Sequence, residues 1–266
     1  MDYFRAAIIG LGNIAWKYDE NRQKGDEPQT HIGTYRQRQD VKIISAYCPI
    51  VEDRNLFAEH YNIPVFTNLD EVLDEKPDIV SICSPLKVHF EQVHECLKAG
   101  VPMIWLEKPP AQTMKEIEQL IKIQNASHST VLVNFQRRYS ECYNKLKLLY
   151  EKKLLGETKL IRLTYSRGLE TNGSHIIDML SYVLGDDSQL RLEAVIDSGR
   201  EQNPSFTLRT SEGLLIVVNG ISLPYHCIDI ELTCENGRAS ILYGGMQTRI
   251  ELRVEHEMRC SKIIFG

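Results

Sequence analysis

Hydrophobic and polar positions follow different rhythms in the two halves of this chain. In the first half, short apolar runs alternate with amphipathic segments. Strands are predicted at 4–9, 41–47, 65–66, 78–83, 101–106 and 130–134, with helices opening at Asn13 and spanning 55–61, 69–73, 90–99 and 114–124. This alternation favours a parallel, doubly wound sheet. The polar stretch 19–30 is predicted to be an exposed loop.

The pattern changes after residue 140. Helices are predicted at 143–155 and 174–184, a strand at 159–165, and mostly strands from residue 192 onward. Residues 228–233 alternate apolar and polar side chains, which is typical of an antiparallel sheet with one face in water. The fold class is therefore α/β in the first domain, 1–128, and α+β with an open, mostly antiparallel sheet in the second, 129–266.

Composition narrows the classes of function. The net charge of −5 gives no electrostatic case for nucleic-acid binding, and no run of about 18 apolar residues predicts a membrane span. The chain starts directly into a strand, so we expect no secretory leader. Seven scattered cysteines without a C-x-x-C pair indicate reduced thiols, a cytoplasmic location and no structural metal.

A glycine turn follows the first strand. Residues 10–15 fit G-x-G-x-x-A between a strand and a predicted helix, the context in which this pattern indicates a dinucleotide-binding Rossmann domain. Gly10 permits the tight turn, Gly12 lets a pyrophosphate approach the backbone, and the helix start at Asn13 and Ile14 offers free N–H groups.

The second part of the dinucleotide pattern is missing. NAD-binding chains usually carry Asp or Glu at the end of the second strand, where this chain has Cys48 followed by Pro49. Glu52 and Asp53 come later, and Arg54 is either a partner for a 2′-phosphate or a solvated helix residue. The predicted cofactor is therefore NAD or NADP.

Lys108 is the most informative single residue. It follows an apolar strand and precedes two prolines, and a proline biases the residue before it toward extended backbone. In open α/β sheets the ligand crevice lies at the carboxyl ends of the strands. Lys108 is thus a candidate catalytic acid or base, or an anchor for an anionic ligand.

Several motifs occur in one order along the chain. The glycine turn is followed by Ser84-Pro85 with His89, by Glu107-Lys108-Pro109, by residues 134–139 (NFQRRY), and by Gly173-Ser174-His175. Together they resemble the Gfo/Idh/MocA oxidoreductase family over about residues 5–185. The resemblance implies hydride transfer between a nicotinamide cofactor and a hydroxyl or carbonyl carbon of a sugar or cyclitol, and an oligomer formed through the C-terminal sheet.

The resemblance also assigns roles. Lys108 binds the reacting oxygen, and His175, whose ordinary pKa of about 6.5 suits proton transfer near neutrality, acts as the acid or base. The residues expected to contact the cofactor are Gly10, Gly12, Asn13, Ile14, Cys48, Ser84, Pro85, His89 and Glu107. Those expected to contact the substrate are Arg138, Tyr165, Thr171 and Asn172.

Some features depart from the family pattern. Thr171 stands four residues before His175, where the family commonly has an aspartate, and the chain is short for the family. Arg137 and Arg138 either bind a substrate phosphate or form an ion pair with Glu141 or Asp178. A regulatory protein that senses a dinucleotide or sugar without turnover, and a reductase of imines or tetrapyrroles, remain alternatives on the same fold.

Overall fold

The computed structural model describes residues 3–23, 25–185, 188–197, 202–253 and 260–265. The chain forms two compact units, Met1–Asn134 and Phe135–Gly266. The expected boundary at 128 lies six residues earlier than the observed one. The difference arises because the strand Thr130–Val133 pairs with Met103–Leu106 and so completes the sheet of the first unit.

The first unit contains one parallel sheet of six strands. These are β1 (Phe4–Ile9), β2 (Val41–Tyr47), β3 (Val65–Phe66), β4 (Ile79–Ile82), β5 (Met103–Leu106) and β6 (Thr130–Val133). Their order is β3-β2-β1-β4-β5-β6, the arrangement of a dinucleotide-binding Rossmann fold. From β1 the chain adds β2 and β3 on one side and β4, β5 and β6 on the other, so the strand order reverses between β1 and β4. Ligands of such sheets bind at the carboxyl ends of the strands at that point.

The described part of this unit contains five α-helices: α1 (His31–Arg36), α2 (Val51–His60), α3 (Leu69–Asp74), α4 (His89–Lys98) and α5 (Met114–Asn125). Thr113 begins α5 because its hydroxyl accepts the Glu116 N–H while the Glu116 carboxylate accepts the Thr113 N–H. The apolar residues of the central strands are buried on both faces at 6–9 of β1 and at Val80 and Ile82 of β4, in agreement with the continuous hydrophobic runs in the sequence, whereas Phe4, Met103 and Leu132 are exposed.

The helix predicted from Asn13 onward is interrupted. Residues 13–16 form a turn, a short 3-10 turn follows at Lys17–Asp19, and α1 begins only at His31. The carbonyls of Ile14 and Ala15 accept the N–H groups of His31 and Ile32, at 3.2 and 3.0 Å. The helix after the glycine turn is therefore split in two, and the first N–H groups of α1 bond to the carbonyls of the turn as the next residues of a continuous helix would.

The residues described in the second unit form an eight-stranded sheet and two α-helices. The strands are β7 (Thr158–Tyr165), β8 (Leu190–Asp197), β9 (Ser205–Thr210), β10 (Leu215–Gly220), β11 (Ile228–Cys234), β12 (Gly237–Leu242), β13 (Gln247–Arg253) and β14 (Cys260–Phe265). Their order is β14-β13-β12-β11-β7-β10-β9-β8, and every pairing is antiparallel except β7 with β10. The predicted open, mostly antiparallel sheet is confirmed.

Helices α6 (Glu141–Glu151) and α7 (Ser174–Leu184) pack against this sheet. The core combines Leu146 of α6 and Leu180 of α7 with the inward residues of β7 and β11. A π-helical turn, Leu169–Gly173, leads directly into α7. Within the described part of the chain, no helix has the length and apolar character that crossing a bilayer requires.

Candidate functional site

The glycine turn lies at the reversal point of the first sheet. Gly10 has a φ of +86°, and a Cβ built on it would stand 2.7 Å from the backbone nitrogen of Ser84. The loop after β1 therefore packs directly on the loop after β4, and only glycine fits there. A Cβ built on Gly12 meets no atom within 4 Å, so the backbone at Gly12 is open to a ligand.

The other predicted cofactor residues surround this turn. Asn13 is exposed and Ile14 half-buried in the first helical turn. Cys48 is buried at the end of β2, and its carbonyl accepts a hydrogen bond of 2.9 Å from the Arg54 guanidinium. Ser84, which donates to the Gln92 side chain, precedes the exposed Pro85. These positions line the carboxyl ends of β1, β2 and β4.

His89 joins two loops of this edge. It is the first residue of α4 and is 1% exposed. Its Nε2 lies 2.8 Å from the Ser84 carbonyl oxygen, and its Nδ1 lies 2.8 Å from that of Pro109. The ring thus ties the loop after β4 to the loop that carries Lys108, and Lys108 itself is half-buried with a cis peptide bond to Pro109.

Glu107 belongs to a buried polar network. Its Oε1 accepts hydrogen bonds from His31 Nε2 at 2.9 Å and from Asn134 Nδ2 at 2.5 Å. His31 Nδ1 lies 3.0 Å from the Ser81 hydroxyl, which in turn lies 2.7 Å from the Tyr35 hydroxyl. Burial alone would raise the pKa of Glu107, but the bonds from His31 and Asn134 outweigh it and hold that pKa below its ordinary value.

The second unit holds the other predicted catalytic group. His175 is the second residue of α7, half-buried, with its ring edge-on to Phe135 at a centroid distance of 6.3 Å. Asn172 is 3% exposed, and its side-chain amide lies 3.1 Å from His226 Nδ1. Thr171 is exposed, and its carbonyl accepts a hydrogen bond from the Ser174 hydroxyl.

The two adjacent arginines have different surroundings. Arg138 donates from Nε and from Nη2 to Asp178 Oδ1, at 2.9 and 2.8 Å, and its guanidinium lies over the Tyr182 ring. Of the two alternatives open for Arg138, the ion pair with Asp178 is the one observed. Arg137 instead lines a cavity of the second unit.

Tyr165 differs from the expectation that it lines a substrate pocket. Its side chain is completely buried in the core of the second unit, and its hydroxyl donates to the Pro204 carbonyl at 2.8 Å. Burial raises its pKa to about 12. The reason is its position on β7, where Tyr165 shares the inward face with Ile161 and Leu163.

The network around Glu107 and the pairing of Asn172 with His226 did not come from sequence reasoning. His31, Ser81 and Tyr35 are separated from Glu107 by 26 to 76 positions, and no spacing rule connects them. A polar Ser81 within an otherwise apolar strand is the one local sign that a buried hydrogen-bond partner exists there.

Comparison with known families decides the identity of the fold. Residues 4–135 match the model of an oxidoreductase family with an NAD-binding Rossmann fold, Gfo/Idh/MocA. The chain belongs to the Gfo/Idh/MocA oxidoreductase family. The match covers the glycine turn, Lys108 and the Glu107 network, and the resemblance seen in the sequence motifs is confirmed.

Two curated relatives are dehydrogenases. D-glucoside 3-dehydrogenase of Escherichia coli is 27% identical over 205 residues, which are 68% of this chain and 54% of that protein. Myo-inositol 2-dehydrogenase of Thermotoga maritima is 23% identical over 287 residues, 98% of this chain and 81% of that protein. The chain thus spans only about half the length of the first relative.

Two solved structures share the fold of both units. A 3-ketoreductase from Actinomadura kijaniata, crystallised with TDP-benzene and NADP, superposes with a TM-score of 0.78 at 16% identity, covering 99% of this chain and 84% of that one. The apo scyllo-inositol dehydrogenase of Lactobacillus casei gives a TM-score of 0.72 at 16% identity, covering 90% and 75%.

The residues of the first unit fit a nicotinamide dinucleotide. The open backbone at Gly12 provides the space that a pyrophosphate needs, and the end of β2 provides the place for the adenosine ribose. Family membership gives the cofactor class, NAD or NADP.

Proposed function

We propose that this protein is an NAD(P)-dependent dehydrogenase or reductase that acts on a CH–OH carbon of a sugar, sugar derivative or cyclitol. The observation that carries the proposal is the open glycine turn, which lies in the same unit as a lysine whose two chain neighbours are anchored by buried histidines. The bound cofactor would supply or accept the hydride.

In this proposal Lys108 binds the reacting oxygen. Its ammonium would stabilise negative charge that develops on that oxygen as the hydroxyl loses its proton. His175 would accept or return the proton, for which an imidazole is suited near neutral pH. Asn172 and Thr171, on the turn that leads into α7, are proposed to contact the substrate, as is Arg138.

The surroundings of β2 support NADP over NAD. No carboxylate follows the strand directly, and Asp53 is engaged by Lys17 at 2.7 Å. The Arg54 guanidinium lies at the Cys48 carbonyl, where the ribose 2′-position of a dinucleotide is expected. A positive charge there would bind a 2′-phosphate, whereas the carboxylate that would bind a free 2′-hydroxyl is missing.

A cytoplasmic location and self-association belong to the same proposal. Six of the cysteines are free thiols, as in a reducing compartment: Cys48, Cys83, Cys96, Cys142, Cys227 and Cys234. Leu192, Val195 and Ile196 of β8 are more than half exposed, which supports a partner surface on the second unit. Light scattering on the purified protein tests the oligomer.

The second candidate is a regulatory protein that binds the cofactor without turnover. Thr171 favours it, because threonine cannot supply the negative charge that an aspartate would place near His175. Transfer of deuterium from labelled NADPH to a sugar carbonyl distinguishes the two candidates.

The decisive experiment uses Lys108→Ala and His175→Ala with a panel of sugars, cyclitols and nucleotide sugars. We expect Lys108→Ala to abolish turnover while NADPH affinity stays within a few-fold of wild type. His175→Ala should lower turnover by roughly 10²- to 10⁴-fold, the usual scale of acid–base catalysis. The matched control is Lys98→Ala, an exposed lysine at the end of α4. Near-normal turnover in Lys108→Ala would refute the assignment.

A further inference from the structure

A cavity of the second unit lies at the end of the sheet where β11 begins and β12 ends. Its volume is about 480 Å³, within the usual range of small-molecule sites. It is lined by Arg137, Ser140, His226, Ile228, Tyr243 and the loop 244–246. Neither the family match nor the roles carried over from the resemblance include this cavity.

Arg137 brings a positive charge to this cavity. Among the described residues, no carboxylate lies within 4.0 Å of its guanidinium, whereas its neighbour Arg138 is paired with Asp178. The Nε of Arg137 is buried and makes no hydrogen bond to any described group. A partly buried cation without a counter-charge is costly, so an anion bound beside it would be stabilised.

The other lining groups are also suited to an anion. His226 and the hydroxyls of Ser140 and Tyr243 can each donate a hydrogen bond. The described lining includes no carboxylate. The Asp229 carboxylate accepts the Tyr243 N–H at 2.7 Å and thus holds the loop in place.

The loop itself has an unusual backbone. Tyr243, Gly244 and Gly245 all have positive φ values, of 54°, 67° and 115°. A tyrosine in the left-handed region is strained by about 1–2 kcal/mol, and such strain is concentrated at functional sites. The Arg137 Nη2 lies 3.4 Å from the position of a Cβ built on Gly244, so a side chain there would press on the guanidinium.

Asn172 connects the cavity to the proposed catalytic residue. It lies three positions before His175, and its amide contacts the imidazole of His226 on the cavity wall. A ligand in this cavity would therefore lie in the same unit as His175 and against the histidine that Asn172 contacts. That position suits a part of the substrate away from the reacting carbon.

We infer that this cavity binds a phosphate group of the substrate, so that the substrate is a phosphorylated sugar or a nucleoside diphosphate sugar rather than a neutral one. The inference rests on the proposed function. Arg137 is the main ligand because a guanidinium offers paired donors that match the oxygens of a phosphate.

The test is calorimetric titration of the full-length protein with inorganic phosphate, a hexose 6-phosphate and a nucleoside diphosphate hexose. In Arg137→Gln we expect the affinity for the phosphorylated ligands to fall by about 10- to 100-fold, the scale of one charged hydrogen-bonded contact. The control Arg162→Gln removes the same charge from an exposed, Glu231-paired site on β7 and should change nothing.

A second pair of variants leaves the partly buried Arg137 unchanged. Met246 lines the cavity and is 91% exposed, so substitution there leaves the core intact. Met246→Glu should weaken phosphate binding through charge repulsion, and Met246→Gln should not. Equal binding by the Glu and Gln variants, or wild-type binding by Arg137→Gln, would overturn the inference.

Binding and turnover separate the two proposals. Phosphate binding that depends on Arg137, without deuterium transfer from NADPH to any sugar, would leave the cavity assigned and refute the dehydrogenase. Turnover of neutral sugars with a KM unchanged in Arg137→Gln would support the dehydrogenase and refute the phosphate site. Of the hexose 6-phosphate and the nucleoside diphosphate hexose, the one whose affinity falls more in Arg137→Gln is the ligand whose phosphate this cavity binds.

Discussion

The two glycines of the turn after β1 should respond to alanine in opposite ways. At Gly10, with φ at +86°, a Cβ would stand 2.7 and 2.8 Å from the backbone N and Cα of Ser84. Backbone atoms cannot rotate aside as a flexible side chain does. At Gly12 the added Cβ would meet no atom within 4 Å, and the backbone there is not left-handed.

The magnitudes follow from these geometries. In Gly10→Ala the left-handed backbone costs about 1–2 kcal/mol and the overpacking about 1–3 kcal/mol, a loss of roughly 2–5 kcal/mol. For a chain of this size that lowers Tm by roughly 5–20 °C. In Gly12→Ala the free energy of unfolding should stay unchanged or rise by about 0.4–1 kcal/mol, because alanine restricts the unfolded chain.

For cofactor binding, in contrast to stability, Gly12→Ala is the variant expected to show a loss. The Cβ of Gly12→Ala would occupy the space through which a pyrophosphate approaches the backbone. We expect NADPH affinity, followed by quenching of Trp16 and Trp105 fluorescence, to fall at least about tenfold, which is 1.4 kcal/mol. Calorimetry gives Tm for both variants. A Gly12→Ala protein that binds NADPH like wild type would show that this crevice is not the cofactor site.

Two further predictions concern charges of the first unit. Glu107→Gln should lose about 1–3 kcal/mol of stability at pH 7, because the bonds from His31 and Asn134 then end on a neutral acceptor. Because folding lowers the pKa of Glu107, the stability difference between wild type and Glu107→Gln is present above the ordinary pKa of a glutamate. In urea titrations that difference should shrink as the pH falls below about 4. A stability difference that is equal at pH 3 and pH 7 argues against this role of Glu107. Arg54→Gln should weaken NADPH binding about tenfold or more and leave NADH binding unchanged, whereas equal loss for both cofactors contradicts a 2′-phosphate contact.

Much of the fold could be predicted from the sequence because it depends on local patterns. Apolar runs gave the strands of the first sheet, and alternation gave the open second sheet. The same period of two also places Tyr165 with Ile161 and Leu163 on the inner face of β7. The burial of Tyr165 could therefore have been predicted from the sequence. The expectation that Tyr165 lines a pocket gave too little weight to this alternation.

The split helix could not be predicted in the same way. Its continuity depends on backbone bonds from His31 and Ile32 to Ile14 and Ala15, across a polar segment that has no helical period. Backbone groups carry no sequence identity, so no residue pattern records which distant carbonyl an N–H will find. The Glu107 network has the same origin, since it forms only after α1 resumes at His31.

The split helix and the network together explain how Lys108 is held. His31 is the first residue of α1 and bonds Glu107, and His89 is the first residue of α4 and bonds the Pro109 carbonyl. Lys108 thus lies between two neighbours that are fixed by buried imidazoles. Anchored backbone on both sides limits the positions of the ammonium to those its own side-chain rotamers allow, and such preorganisation is what stabilisation of a developing charge requires. The position of His31 is set by the backbone bonds from α1 to Ile14 and Ala15 and also by the cap of α1, because Asp19 accepts the N–H and the hydroxyl of Thr30, whose side chain accepts the Gly33 N–H.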